Sequence, residues 1–591
     1  VKVKGETMLR TQTCGDARPS DDGKLVTLCG WVDRYRDIGQ IYFLTLRDRY
    51  GVTQCVYELG TGQDQIMEDL RHLRFETCVQ ISGNIRLRRE KDINHDQQTG
   101  AVELVISSVK ILNQAPQELP FQVRDDQNVA SDIRLKYRYL DLRRAKMQRN
   151  LKIRHDIIQI VRDVFNSLGF LEIETPLLIR STPEGSRDFV VPSRVHPGTF
   201  YALPQSPQLY KQMLMISGCD RYFQFAQAFR DEDLRADRVP VHTQIDMEMT
   251  FVEEQDVFAV VEAYLKPVFQ KLKGISIPES FPVVSYSEVM EKYGIDKPDR
   301  RFGLELKTVT EWAKTIGFEA FQGAESIRAL CLDRGSEFSR KEIDELTELA
   351  KKYGAKGLAW SKWNGTEFSG GISKFLNANP GAVKEVFELT NDSILFFVAD
   401  KYEKACAALA QVRLYAGRKF GLIDKTKYDF LWVNKFPLFE WNEERGAYDA
   451  MHHLFTHPLN EDMKWLDTEP GKVRGQLYDL VLNGVELISG SIRINRPELQ
   501  RKILSIVKMP EQEAESKFGF LMRAFEYGAP PHGGCAMGLD RLTAIMCDED
   551  SIREVIAFPC NNTGIFPLDG SPAPLDQKQL DELRLKHLPL A

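Results

Sequence analysis

No two of the ten cysteines fall in a C-x-x-C pair, and none stands with histidine at zinc spacing. That excludes the common structural zinc sites and leaves scattered, reduced thiols, the usage of a cytoplasmic protein. No apolar run approaches the roughly 20 residues needed to cross a bilayer, so no membrane partner is expected. Residues 1–8 lack an apolar stretch and do not read as a secretory signal, and Met8 is a second candidate for the native start. Two phosphate cradles are also missing, the G-x-x-x-x-G-K-[ST] loop and the G-x-G-x-x-G turn between strand and helix. Positive charge is in deficit: 78 lysines and arginines face 85 acidic residues, a net −7. That argues against a general nucleic-acid coat but leaves room for a local basic patch.

What is present is a long chain of globular composition. Its 591 residues exceed one compact core and predict three or four domains, and apolar residues (43%) are interspersed with charged ones (28%). Residues 1–115 contain β-rich runs at 25–33, 41–48 and 52–57, a helical stretch at 64–73, and further strands at 77–87 and 101–112. Three strands, a helix and two strands is the order of a five-stranded OB barrel. Residues 116–145 are polar with two prolines, a hinge or linker composition. An amphipathic helix follows, with Ile157, Val161, Val164, Phe165 and Leu168 at helical spacing and Gly169 as its stop. Strand-rich sequence with long loops fills 146–284. A charged, alternating texture from 285 to 428 predicts an inserted α/β domain. Strand and helix signals return over 429–566, and 567–591 reads as a polar tail.

A chain that lacks the usual cradles can still hold phosphates with arginine, whose planar guanidinium is permanently charged and bidentate. Two runs suit this. One is Phe229-Arg230-Asp231-Glu232-Asp233-Leu234-Arg235-Ala236-Asp237-Arg238, followed by Thr243-Gln244-Ile245-Asp246-Met247-Glu248, which together read as strand, charged loop, strand. The other is Gly538-Leu539-Asp540-Arg541-Leu542, a small-residue strand end opening into a helix. With Gly169-Phe170-Leu171-Glu172-Ile173-Glu174-Thr175-Pro176, these runs resemble motifs 1, 2 and 3 of the class II aminoacyl-tRNA synthetases, in order. The barrel ahead of them resembles the aspartyl, asparaginyl and lysyl subgroup, and the long insertion resembles the bacterial aspartyl enzymes. So do Leu135-Lys136-Tyr137-Arg138-Tyr139-Leu140-Asp141-Leu142-Arg143, Thr182-Pro183-Glu184-Gly185, Gln205-Ser206-Pro207-Gln208 and Met451-His452-His453. The implied fold is an α/β (α+β) multidomain chain: an OB-fold barrel, an antiparallel-sheet catalytic domain, and an inserted α/β domain.

The resemblance implies ATP-dependent activation of L-aspartate and its transfer to the 3′ end of tRNA(Asp). Arg230 is implied to bind the α-phosphate and the aspartate carboxylate, Arg541 the γ-phosphate, and Glu232 the adenine side. Asp231, His242, Gly538, Leu539 and Asp540 complete the implied ATP site. Glu486, with Asp479 or a nearby carboxylate, is implied to hold Mg²⁺, a hard cation that shares oxygen ligands with phosphates. The aspartate side chain needs fixed positive charge, implied at Lys211 and Arg493, which argues against a lysine substrate. Glu184, Ser206, Gln208 and Asp246 suit the ammonium group, and His452 and His453 are implied substrate contacts. His242 stands where similar enzymes often carry a stacking Phe, which predicts weaker, pH-sensitive stacking. Val239 replaces a frequent polar residue, and Leu454 a frequent proline.

On the barrel, Arg34, Tyr35, Arg36, Phe43, Arg47 and Gln54 alternate along the first three strands, the pattern of a single-strand binding face. The resemblance implies that Phe43 stacks an anticodon base, Arg36 and Gln54 read the central uridine, and Glu103 lies near the third base. Core packing of Phe43 is the competing expectation. Arg86, Arg88, Arg89 and Lys91 form a second basic cluster suited to phosphates. Motif 1 implies a homodimer. Relaxed relatives that also charge asparagine-specific tRNA often show His where Ile38 stands, so Ile38 favours strict choice. An asparaginyl enzyme, or a catalytically dead RNA-binding paralogue, would share much of this pattern. Intact Arg230, Glu232, Glu486, Arg493 and Arg541 oppose the dead paralogue.

Overall fold

The computed structural model describes residues 9–60, 64–182 and 186–586. Glu184, with the rest of 183–185, lies outside them, as do residues 1–8 and 587–591. The described residues fall into two compact units, one running up to Lys152 and including Arg553–Ala573, the other spanning Ile153–Ile552 with the residues from Pro574.

The first unit is built on a closed five-stranded barrel of Leu25–Asp37, Ile41–Asp48, Gly51–Glu58, Cys78–Leu87 and Val102–Asn113. Alternation decides which side chains enter it: Tyr42, Leu44 and Leu46 join Val26, Leu28, Val79, Ile81 and Leu104 in the core. Phe43 and Thr45 therefore point away, since successive strand residues face opposite sides. The barrel closes where the third strand runs parallel to the fifth, Cys55 opposite Leu104. Helix Asp64–Arg71 adds Ile66, Met67 and Leu70 to the same core.

The stretch expected to be a hinge or linker, residues 116–145, has regular structure in its second half. It carries helices Ser131–Lys136 and Arg138–Asp141. Arg138 is 2% exposed and pairs with Asp141 at 2.5 Å. It also donates to the carbonyls of Arg553, Ile556 and Ala557 at 2.9, 2.8 and 2.9 Å. Arg134 meets Glu554 at 2.7 Å. A buried guanidinium with every contact satisfied fixes a returning chain segment, which is why residues 553–573 belong to this unit.

The second unit centres on an eight-stranded sheet. Its order is Val283–Ser285, Phe430–Asn434, Leu477–Leu482, Val485–Ile492, His532–Gly538, Val241–Thr250, Arg221–Phe229 and Leu171–Glu172. All pairings are antiparallel except the two outermost. One face is covered by helices Ala145–Ser167, Glu254–Lys273 and Leu539–Cys547, whose Ile157, Val161, Phe165, Val257, Val261, Leu265, Leu542 and Met546 pack on Ile245, Met247, Trp432 and Leu480. The other face carries the polar half of the same alternation.

Between Val283–Ser285 and Phe430–Asn434 the chain makes a separate five-stranded antiparallel sheet, ordered Lys307–Thr308, Ser326–Asp333, Ser393–Asp400, Ala359–Trp363, Phe368–Ser369. Helices Arg340–Lys352 and Tyr402–Lys419 pack on it through Ile343, Leu346, Leu409 and Val412. The nominal tail contains a short helix, Gln577–Leu583, capped by the Asp576 carboxylate, which accepts from Gln579 N at 2.7 Å. Among the described residues no helix is long and apolar enough to cross a membrane.

Candidate active site

On the open face of the large sheet, register aligns the polar residues in rows. Asp246 lies opposite Ala536, Ala536 opposite Ser489, and Ser489 opposite Asp479. One row along, Glu248 lies opposite Gly534 and Gly534 opposite Ser491. The small residues of His532–Gly538 leave the space between the flanking charges empty. A Cβ at Gly534 would collide with Met247 O and the Glu248 carboxylate. The result is a cavity of about 800 Å³.

Most residues singled out from the sequence line it: Ser206, Gln208, Lys211, Arg230, Glu232, His242, Asp246, His452, His453, Glu486, Arg493, Gly538, Asp540 and Arg541. Two do not. Asp231 is exposed and its N–H bonds Arg187 O at 3.1 Å, while Leu539 is fully buried in the helix-side core. Asp540 reaches the wall, but its carboxylate is taken by Arg154 and by Thr243 N, the latter at 2.9 Å. That contact pins helix Leu539–Cys547 to strand Val241–Thr250.

At the closed end Lys211, Asp246, Glu248 and Arg493, all 2% exposed or less, form one network. Lys211 Nζ lies 2.7 Å from Asp246 Oδ1 and 3.3 Å from Glu248 Oε2. Arg493 grips the other side of Glu248 at 2.8 and 3.1 Å and donates to His453 Nε2 at 2.9 Å. Burial raises the Asp246 carboxyl above the ordinary range, and Lys211 only partly offsets it. Glu248 is equally buried, yet Arg493 and Lys211 together hold it below the ordinary value. His453, buried and facing Arg493, is pushed well below the usual histidine value and so is neutral. Glu248 was missed from the sequence. The alternation Gln244-Ile245-Asp246-Met247-Glu248 contained the signal, since it sets Glu248 on the same face as Asp246.

Toward the open end, Arg541 Nη1 donates to Glu486 O at 2.9 Å and lies 3.7 Å from Glu486 Oε1. Glu232 meets Arg238 at 3.1 Å. Burial works against a charged His452 ring, but Asp479, 3.8 Å away, outweighs it and raises its pKa. His242 goes the other way: burial, then Arg230 and Arg541, lower it to about 3. Its ring is neutral across the physiological range, so the expected pH sensitivity disappears. Lys297, from the start of the inserted domain, also lines the cavity and was not anticipated.

Several buried polar atoms here have no partner: Arg230 Nε, Gln244 Oε1, Asp246 Oδ2, His452 Nδ1 and Asp479 Oδ1. Each such atom costs on the order of 1–3 kcal/mol. Their clustering marks a site for a polar ligand that supplies both donors and acceptors. For a hard divalent cation, Asp479 and Glu486 offer carboxylates on adjacent strands, and the free Asp479 Oδ1 fits that use. Among the described residues there is no group of three or more His, Cys, Asp or Glu side chains able to hold a metal. Two carboxylates suit an ion that takes its other ligands from phosphates and water.

The barrel presents its own polar face. Arg36 pairs in register with Phe43, and Thr45 with Gln54. Gln54 Nε2 donates to Glu103 Oε2 at 3.0 Å, and Arg86 meets Glu103 Oε1 at 2.7 Å. Phe43 faces away from the barrel core, which removes the core-packing reading. Ile38 is exposed beside the turn that joins the first two strands.

The family profile described as class II tRNA synthetases (D, K and N) matches residues 130–562, and an OB-fold nucleic acid binding domain matches 26–112. An aspartate–tRNA(Asp/Asn) ligase of Treponema denticola is 47% identical over 591 residues, covering 98% of this chain and 99% of that protein. An aspartate–tRNA ligase of Phocaeicola vulgatus is 46% identical over 583 residues, with 98% and 99% coverage. The fold is also that of the asparaginyl-tRNA synthetase of Pyrococcus horikoshii solved with asparaginyl-adenylate. That likeness has a TM-score of 0.58 at 16% identity, over 93% of this chain and 98% of that one.

Proposed function

The chain belongs to the class II tRNA synthetases of the D, K and N group, and from that premise we propose that it is an aspartate–tRNA ligase. The supporting observation is the charge balance of the closed end. Two buried cations, Lys211 and Arg493, meet two buried carboxylates, Asp246 and Glu248. A ligand bringing one ammonium and one side-chain carboxylate leaves that set balanced. Asparagine would leave an excess positive charge, and lysine more, in a place where unpaired charge is strongly unfavourable.

Aspartate lies with its side-chain carboxylate toward Lys211 and Arg493 and its ammonium toward Asp246 Oδ2, with Ser206 and Gln208 supporting. Arg230 faces the α-carboxylate and the α-phosphate of ATP, and stabilises the charge that builds as carboxylate oxygen attacks phosphorus. Arg541 takes the terminal phosphate, His242 stacks on adenine as a neutral ring, and Glu232 flanks it. Glu486 and Asp479 would hold Mg²⁺, which would supply neutralising charge to the phosphates. The products are aspartyl-adenylate and pyrophosphate, and a ribose hydroxyl of tRNA(Asp) then attacks the adenylate carbonyl. Among the described residues no side chain is placed as an obvious general base, so orientation and fixed charge carry the rate. The ten free cysteines suit the cytoplasm, where the substrates are.

Aspartate-dependent exchange of pyrophosphate into ATP tests this directly. Exchange driven equally well by asparagine would sink it. A second reading, charging of both tRNA(Asp) and tRNA(Asn), has the Treponema relative in its favour and Ile38 against it. Charging each RNA side by side decides, since a strict enzyme leaves tRNA(Asn) uncharged.

Phe43→Ala is expected to raise KM for tRNA by about 10- to 100-fold, the loss of one stacked base, while exchange and thermal stability hold. Exchange lost together with charging would place Phe43 in a structural role instead. We also propose a homodimer. Edge strand Leu171–Glu172 and its neighbours leave Leu171, Leu177 and Leu178 exposed, an apolar patch suited to a second copy. Sedimentation should give twice the chain mass at micromolar concentration, and a monomer there would refute the proposal.

A further inference from the structure

Segment 294–301, at the root of the inserted domain, reaches the cavity. Lys297 Nζ lies 3.4 Å from Glu486 Oε2, while Arg541 approaches the other oxygen of the same carboxylate at 3.7 Å. One carboxylate is therefore bracketed by two cations, and all three groups line the cavity. Lys297 has a second acidic neighbour, Asp296, at 3.6 Å.

The backbone that carries Lys297 is clamped from both sides. Arg413, on inserted-domain helix Tyr402–Lys419, donates to Asp299 O at 2.8 Å, Gly303 O at 2.5 Å and Leu304 O at 2.9 Å. Arg300 grips Asp429 at 2.7 and 2.8 Å, where the chain re-enters the large sheet. The Asn483-Gly484 turn, whose second strand carries Glu486, packs against Asp299, and a Cβ at Gly484 would meet the Asp299 Cβ at 3.0 Å. Both anchors belong to the insertion or its return point, so the position of Lys297 is set by that domain.

Resting on the function proposed above, we propose that Lys297 binds the terminal phosphates of ATP and pyrophosphate, so that the inserted domain contributes a cation to the active site. A carboxylate shared by two cations occupies the place a phosphate would take. Glu486 would hold Mg²⁺ together with the polyphosphate, and its carboxylate would then be neutralised, with Lys297 and Arg541 turned to the phosphates. Lysine suits this role as a compact charge with three rotatable donors. The polyphosphate carries more negative charge than the single carboxylate, which strengthens the attraction.

The test is calorimetric titration of inorganic pyrophosphate, with Mg²⁺, into the full chain. Lys297→Met should weaken pyrophosphate binding by about tenfold, ~1.4 kcal/mol, with aspartate affinity unchanged. Lys297→Arg should stay within about threefold of the parent, because it keeps the charge. In exchange assays KM for pyrophosphate should rise in Lys297→Met while KM for aspartate holds. Unchanged pyrophosphate affinity in Lys297→Met overturns the inference. So does an equal loss of aspartate affinity, which would mean that the cavity itself had been disturbed. If the parent protein neither binds pyrophosphate nor exchanges it, the functional reading fails instead.

Discussion

Arg230→Ala is expected to lower kcat for aspartate-dependent pyrophosphate exchange by roughly 10³-fold while leaving the thermal unfolding midpoint nearly unchanged. The two halves of that expectation come from one fact. Arg230 lines the cavity with its Nε buried and unpartnered. A guanidinium whose buried Nε has no partner in the resting protein is available to charge that develops during reaction. Removing a single preorganised donor of this kind typically costs about 10²–10³ in kcat, and arginines placed on phosphoryl groups reach about 10³–10⁵. Arg230→Lys should recover little, because one ammonium cannot span a carboxylate and a phosphate together. A loss under tenfold, or a large fall in stability, would show that Arg230 is a structural residue.

Lys211→Met should behave differently. KM for aspartate is expected to rise about 10- to 100-fold with KM for ATP within about threefold, since a charge-assisted hydrogen bond to a buried carboxylate is worth ~1.5–3 kcal/mol. Stability should fall as well, by about 3–5 kcal/mol, because Asp246 and Glu248 would share Arg493 alone. Asp246 is the group that yields. Burial already raises its pKa, and losing Lys211 raises it further, so it gains a proton at higher pH. The double variant Lys211→Met with Asp246→Asn should then regain part of the stability but none of the aspartate affinity. Urea unfolding and exchange kinetics on the same three proteins separate the effects. A double variant no more stable than the single would refute the charge-balance argument.

Strand alternation was the most legible signal in the chain. The expected run 41–48 is the observed strand, and the alternation within it places Tyr42 and Leu44 inside and Phe43 outside. The clustering of Arg230, Lys211, Asp246 and Arg493 was legible through motifs whose residues lie far apart in sequence. What escaped depends on groups that meet only across the fold. His242 is chemically ordinary until Arg230 and Arg541 are beside it. Asp540 looks like a ligand for ATP until Arg154, far away in sequence, claims its carboxylate. Residues 116–145 read as a hinge or linker by composition, and composition does not report that Arg138 is buried against carbonyls more than 400 positions later. Lys297 sits in an unremarked polar stretch, and only the Asn483-Gly484 turn brings it to Glu486.

The insertion leaves the large sheet at Val283–Ser285 and returns at Phe430–Asn434, and these two strands run parallel, Val283 beside Trp432. Parallel neighbours cannot be joined by a tight hairpin, because the chain must first travel back to the end where it began, which takes a dozen or more residues. A chain lacking the domain would therefore still need a crossover at this point. The same geometry limits trimming by design. A shortened chain would have to keep a connecting helix of about that length, and a simple Gly-Ser turn in its place would detach the edge strand.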